Sequence, residues 1–129
     1  MRRKESFHSK DWFGKGESDI KSAEILLSAN RLDTASFHIQ QAIEKFLKGF
    51  LLHKGWVLKR THDLVDLLNE AILYEPLFEK FRELCFKATE YYVEDRYPFL
   101  ILSKLTKSEL KNSLKETQDL IEFIGTQMK

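Results

Sequence analysis

The stretch Ile39-Gln40-Gln41-Ala42-Ile43-Glu44-Lys45-Phe46-Leu47-Lys48-Gly49-Phe50 decides the fold. Ile39, Ala42, Ile43, Phe46, Leu47 and Phe50 recur every three or four residues, the period of one helical face. Asp33 and Thr34 precede the stripe and are N-cap residue types. Gly55 follows it, and glycine can take the left-handed conformation that closes a helix. The spacing therefore predicts a long amphipathic helix between these signals.

Working outward, the flanking segments read the same way. Upstream, Trp12, Gly16, Ile20, Ala23 and Leu27 share one face, which predicts a helix over 12–30 stopping at Asn30. Residues 1–10 are expected to be a frayed terminus. Downstream, Thr61 is the expected cap of a third helix with Leu64, Leu67, Leu68, Ala71 and Ile72 on its apolar side. Pro76 suits the first turn of a fourth helix. Leu77, Phe78, Phe81, Leu84, Cys85, Ala88, Tyr91 and Tyr92 give that helix a wide apolar face, and it must end before Pro98. Phe99 to Leu105 is apolar and expected to pack as irregular chain or a short turn. Thr106-Lys107-Ser108-Glu109 has the form of a capping box. Leu110, Leu114, Thr117, Ile121 and Ile124 then carry a fifth helix.

No alternating strand pattern or internal repeat is visible, and five glycines and two prolines are too few for the turns of a sandwich or barrel. The prediction is an all-α, antiparallel, up-and-down bundle of four to five helices, one domain over 1–129. One cysteine excludes an internal disulfide framework. A net charge of +1 excludes a strongly basic molecule, so any nucleic-acid contact must come from a local patch. No stretch has the roughly 20 apolar residues of a membrane span. The chain therefore reads as cytoplasmic.

Three groupings could carry chemistry. Gln41, Glu44 and Lys48 stand in a row beside the apolar stripe of the second helix. They form either a solvated i,i+4 charge face or the polar lining of a groove. At the end of the fourth helix stand Glu90, Tyr91, Tyr92, Glu94, Asp95, Arg96, Tyr97 and Pro98. Glu90 and Glu94, one turn apart, could hold a divalent cation or, with Asp95, keep the surface soluble. Arg96 could complement the helix dipole, or grip a phosphate while Tyr92 or Tyr97 stacks a base. The connector His53, Lys54, Trp56, Lys59, Arg60, His62 is either a nucleic-acid contact or a loop with Trp56 packed on the bundle. His38, near the Gln41 row, and His8 lack metal-ligand spacing, and Cys85 reads as a buried small hydrophobe. No phosphate loop, nucleophile elbow or zinc motif is present.

Four pieces in order, Ser22-Ala23-Glu24, Ala35 to Lys48, Thr61-His62-Asp63-Leu64 and Arg96-Tyr97-Pro98, resemble the HEPN family, named for nucleotide binding in higher eukaryotes and prokaryotes. The resemblance runs from about Trp12 to Phe123. It implies a helical bundle, commonly a homodimer, and in many members a minimal nucleotidyltransferase partner. Some of those pairs are toxin–antitoxin systems. Many members are also metal-independent ribonucleases that carry an arginine followed four to six residues later by a histidine. Arg96 matches the arginine, but Ile101, Leu102 and Ser103 occupy the histidine positions.

The expected function is therefore a nucleotide-binding or adaptor module, without metal or cofactor, working with a nucleotidyltransferase. Arg96 would contact phosphate, Tyr92 or Tyr97 would stack, and Gln41, Glu44 and Lys48 would shape the cleft. No catalytic residue is assigned. One alternative is an RNA-cleaving toxin using Arg96 and a displaced histidine, His62; another is a purely structural interaction module.

Overall fold

A computed structural model describes residues 8–57, 61, 63–96 and 105–128, and of residues 92–96 the backbone alone. Helix α1 spans Ser9–Ser28, α2 Leu32–His53, α3 Leu64–Tyr74, α4 Arg82–Arg96 and α5 Lys107–Gln127. A 3₁₀ turn, Pro76–Phe81, leads directly into α4. The expected all-α bundle is what forms, and the described residues contain no strand.

α2 is central and buried on most of its circumference. α1 lies antiparallel to it. Trp12 and Phe13 meet Lys48 and Gly49, Gly16 meets Phe46, and Asp19 meets Lys45 and His38. α5 runs antiparallel to α4, since Tyr91 meets Ser113 at one end and Phe81 meets Phe123 at the other. Phe50, Phe78 and Phe123 form a chain of rings with centroids 4.8 and 4.9 Å apart, joining the end of α2 to the 3₁₀ turn and to α5. Fully burying one such side chain contributes roughly 1.5–3 kcal/mol.

Gly55 closes α2 with φ of 90°, and the amide of Trp56 donates to the carbonyl of Leu51 at 2.9 Å. Asn30, with φ of 60°, closes α1, and its side chain accepts from Lys107 Nζ at the start of α5. Thr106 caps α5, its hydroxyl accepting from the amide of Glu109.

Three boundaries and the placement of one side chain differ from the sequence reading. α1 begins at Ser9, so Ser9 and Lys10 are helical; Asp11 in the first turn favours that start. α2 begins at Leu32, one residue before the expected cap. Asp33 stands in the first turn, where the positive helix end favours its charge. Asp63 rather than Thr61 caps α3, accepting from the amides of Val65 and Asp66. Leu77, expected on the apolar face, is 61% exposed, because the 3₁₀ turn has about three residues per turn and rotates it outward. The expected irregular chain over 99–105 lies outside the described residues except for Leu105, which packs on the core.

No helix among the described residues is long and apolar enough to cross a membrane.

Candidate functional site

The polar residues of α2 are not a solvated face. Ser36, Gln40, Glu44 and Lys48 follow one another at intervals of four, and all four are buried. Lys48 Nζ donates to Glu44 Oε2 at 2.9 Å, with each side chain 5% exposed. Gln40 Nε2 donates to Glu44 Oε1 at 3.3 Å, and Gln41 Nε2 donates to Gln40 Oε1 at 2.6 Å. Lys48 Nζ also lies 5.4 Å from the centre of the Trp12 ring, so an aromatic face adds to its stabilisation. The result is a continuous relay Gln41–Gln40–Glu44–Lys48–Trp12. Its charges are held behind the surface, and Gln41 is partly exposed.

A second buried carboxylate lies on α1. Asp19 accepts from Lys45 Nζ at 2.6 Å and pairs with His38 Nδ1 at 2.8 Å. His38 is thereby engaged between helices and is a partner of α1, not of the Gln41 row. Both buried carboxylates have a lysine partner, as a buried charge requires.

The sequence reading missed Ser36, Gln40, Asp19 and Trp12. A signal was available for the first two, since Ser36, Gln40, Glu44 and Lys48 are a polar stripe with the same period as the apolar one beside it.

Arg96 is the last residue of α4, at the negative end of the helix. Tyr92 lies one turn earlier on the same helix. Their side chains, and all of Tyr97, His62, Ile101, Leu102 and Ser103, lie outside the described residues. Glu94 and Asp95 are likewise described by backbone only. Among the described residues no group of three His, Cys, Asp or Glu is placed to hold a metal ion.

Trp56 is partly buried and packs against the core, as the simpler reading of the connector expected. Cys85 is fully buried, and its burial pushes the thiol up to about 12. Tyr91 is also raised, by burial first; its hydrogen bond with Ser113 at 2.9 Å opposes that shift.

The profile of the HEPN domain matches residues 9–127, every helix of the bundle. The chain belongs to the HEPN family. A curated relative from Methanocaldococcus jannaschii, named "Putative toxin MJ1304", is 26% identical over 91% of this chain and 86% of its own length. The crystal structure of ST0689, an archaeal HEPN homologue, superposes with a TM-score of 0.76 at 23% identity, covering 95% of this chain and 98% of that one. The crystal structure of TT1696 from Thermus thermophilus superposes with a TM-score of 0.78 at 28% identity, covering 92% and 96%. This HEPN chain therefore shares the complete bundle with both structures.

Proposed function

We propose that this HEPN protein is the toxin-like half of a two-protein pair, a homodimeric module that binds nucleotide phosphate and works with a minimal nucleotidyltransferase. The observation that carries the reading is the buried Gln41–Gln40–Glu44–Lys48 relay on the helix where the family resemblance is densest. A buried ion pair is weak support for stability alone, so a role in fixing geometry is the more economical account. Glu44 and Lys48 hold the floor of the site, Gln41 presents an amide at its edge, and Arg96 supplies the phosphate contact. Tyr92 or Tyr97 stacks the base. The toxin name of the Methanocaldococcus jannaschii relative supports the toxin-like part of this reading.

A thermal-shift panel tests it, with ATP, GTP, AMP and a short single-stranded RNA against wild type and Arg96→Ala. Ligand at about 100 times its Kd stabilises by roughly 2.7 kcal/mol. A wild-type shift that disappears in folded Arg96→Ala is the expected result. No shift with the protein alone or in complex with its nucleotidyltransferase would overturn the reading.

A second reading is a toxin that cleaves RNA with Arg96 and His62; the relative's name supports its toxin-like part alone. It requires RNA products that form in EDTA and vanish in both Arg96→Ala and His62→Ala. Equal products in all three proteins would mark contamination.

A further inference from the structure

The junction of α1 and α2 holds a histidine in one defined state. Asp19, on α1, is buried, and its two oxygens serve two residues of α2. Oδ1 pairs with His38 Nδ1 at 2.8 Å, and Oδ2 accepts from Lys45 Nζ at 2.6 Å. A carboxylate that already accepts from an ammonium can only accept from the ring as well. The proton of the neutral imidazole therefore sits on Nδ1, and the lone pair sits on Nε2.

That lone pair is open. Nε2 makes no hydrogen bond among the described residues. Nor is it sealed inside, since Trp56 Nε1 is the only buried side-chain N or O among the described residues without a hydrogen-bond partner. The His38 side chain is 26% exposed, so the nitrogen faces solvent. The ring is also held in place on its flank, where Phe37 meets it edge-on with centroids 5.5 Å apart. Lys45 completes the group. It and His38 bind the two oxygens of one carboxylate, so an ammonium stands beside the imidazole, and Lys45 is partly exposed too.

Each part suits the transfer of a phosphoryl group. An exposed imidazole lone pair is a nucleophile. A ring that gains a bond at Nε2 becomes cationic, and Asp19 lies against the proton of that cation, as the orienting carboxylate of a triad does. An ammonium beside the nucleophile draws in phosphoryl oxygens. We propose that His38 is a phosphoacceptor, modified at Nε2, with Asp19 and Lys45 as positioning residues. The donor is a phosphoramidate, a phosphoryl group carried on a protonated nitrogen. The Nε2 lone pair attacks phosphorus and forms a new N–P bond. The donor's own N–P bond breaks, and its nitrogen leaves as the neutral amine with the electron pair. No further proton moves, because the Nδ1 proton stays on the Asp19 hydrogen bond. The new negative charge then competes with Asp19 for Lys45, which loosens one of the ties between α1 and α2. Neither Arg96 nor the Glu44–Lys48 pair takes part, so this inference is independent of the nucleotide reading.

The test is incubation of the full chain with phosphoramidate, followed by phosphorus NMR and mass-spectrometric mapping of the modified residue. His53, exposed and without an ion pair among the described residues, is the internal control. The expected product is one acid-labile, alkali-stable phosphoryl group on His38 Nε2, absent from His38→Gln. It should form about tenfold faster than any product at His53, the worth of one charge-assisted hydrogen bond. Asp19→Asn is expected to remove most of that advantage and to leave the His53 rate unchanged. Lys45→Met should slow His38, and Lys45→Arg should restore it, which a purely structural tie would not require. Nitrogen NMR of the unmodified wild type reads the tautomer directly and needs no variant to fold. A ring protonated at Nε2 would overturn the proposal. So would no adduct at His38, a His38 rate no greater than that of His53, or an Asp19→Asn rate equal to wild type.

Discussion

Gly16 lies against the ring of Phe46 so closely that a β-carbon built on it would stand 2.6 Å from the ring. Gly49 has the reciprocal relation to Phe13, at 2.5 Å, and the two rings stack on each other with centroids 5.4 Å apart. Each ring blocks the other from yielding. Gly16→Ala and Gly49→Ala are therefore expected to push α1 from α2 and to cost about 1–3 kcal/mol each. Gly14→Ala is the control. Nothing lies within 4 Å of its added methyl group, so mid-helix alanine should be neutral or stabilise by roughly 0.5–1 kcal/mol. Urea denaturation of the three variants checks the ordering.

Glu44 and Lys48 make a prediction about pairs rather than single residues. Lys48→Ala takes its lysine partner from the buried Glu44 carboxylate, and Glu44→Ala takes its carboxylate partner from the buried Lys48 ammonium. Each is expected to lose about 3–5 kcal/mol. The double variant Glu44→Gln/Lys48→Met removes both charges and keeps an acceptor for Gln40, and should be far less damaged than the sum of the single losses. Denaturant midpoints for the double-mutant cycle decide it. If the phosphate-site reading is right, the double variant folds yet gives no thermal shift with nucleotide.

Cys85 should be inert while the protein is folded. A thiol reagent at pH 8 is expected to label it only through unfolding, at a rate that rises with added denaturant, because the thiolate is the reactive form. The same shift has a stability consequence. Between about 9 and about 12 the folded chain keeps a proton that the unfolded chain has released. The unfolded state then binds fewer protons, so stability falls as pH rises through that window. Tyr91, also raised, adds slope of the same sign. Cys85→Ala should flatten the alkaline side of the stability curve without abolishing the slope.

The cap of α3 offers a clean comparison between two neighbours. Asp63 accepts from two helix amides, and Thr61 accepts from the amide of Asp63 itself. Asp63→Ala is expected to cost about 1 kcal/mol, a Tm loss of roughly 3–5 °C. Thr61→Ala should cost a few tenths of that. A reversal in calorimetry would return the cap to Thr61.

These comparisons show which parts of the molecule could be read before its structure. The α2 stripe was legible because Ile39, Ile43, Phe46, Leu47 and Phe50 bury one contiguous face, and burial follows period. The ends at Asn30 and Gly55 were legible because they need a left-handed residue. Thr61 and Asp63 could not be separated, since both are capping types and only the backbone decides which one turns. Leu77 was misplaced because a 3.6-residue projection does not hold through a 3₁₀ turn. The fate of Glu44 and Lys48 was hidden for a different reason. On a bare sequence an i,i+4 pair of opposite charges looks the same whether water or protein surrounds it. Trp12 and Asp19 joined the picture only when α1 was laid antiparallel on α2.

The line Ser36, Gln40, Glu44, Lys48 acts on α2 as a key acts on a shaft. A helix greasy on nearly every side has little to choose between one angular setting and the next. Turning α2 by one residue, roughly 100°, would drive an ammonium and a carboxylate toward the phenylalanine layer and present leucine to their former partners. The polar line thus admits one rotation of the central rod, and the other helices assemble around a rod that is already indexed.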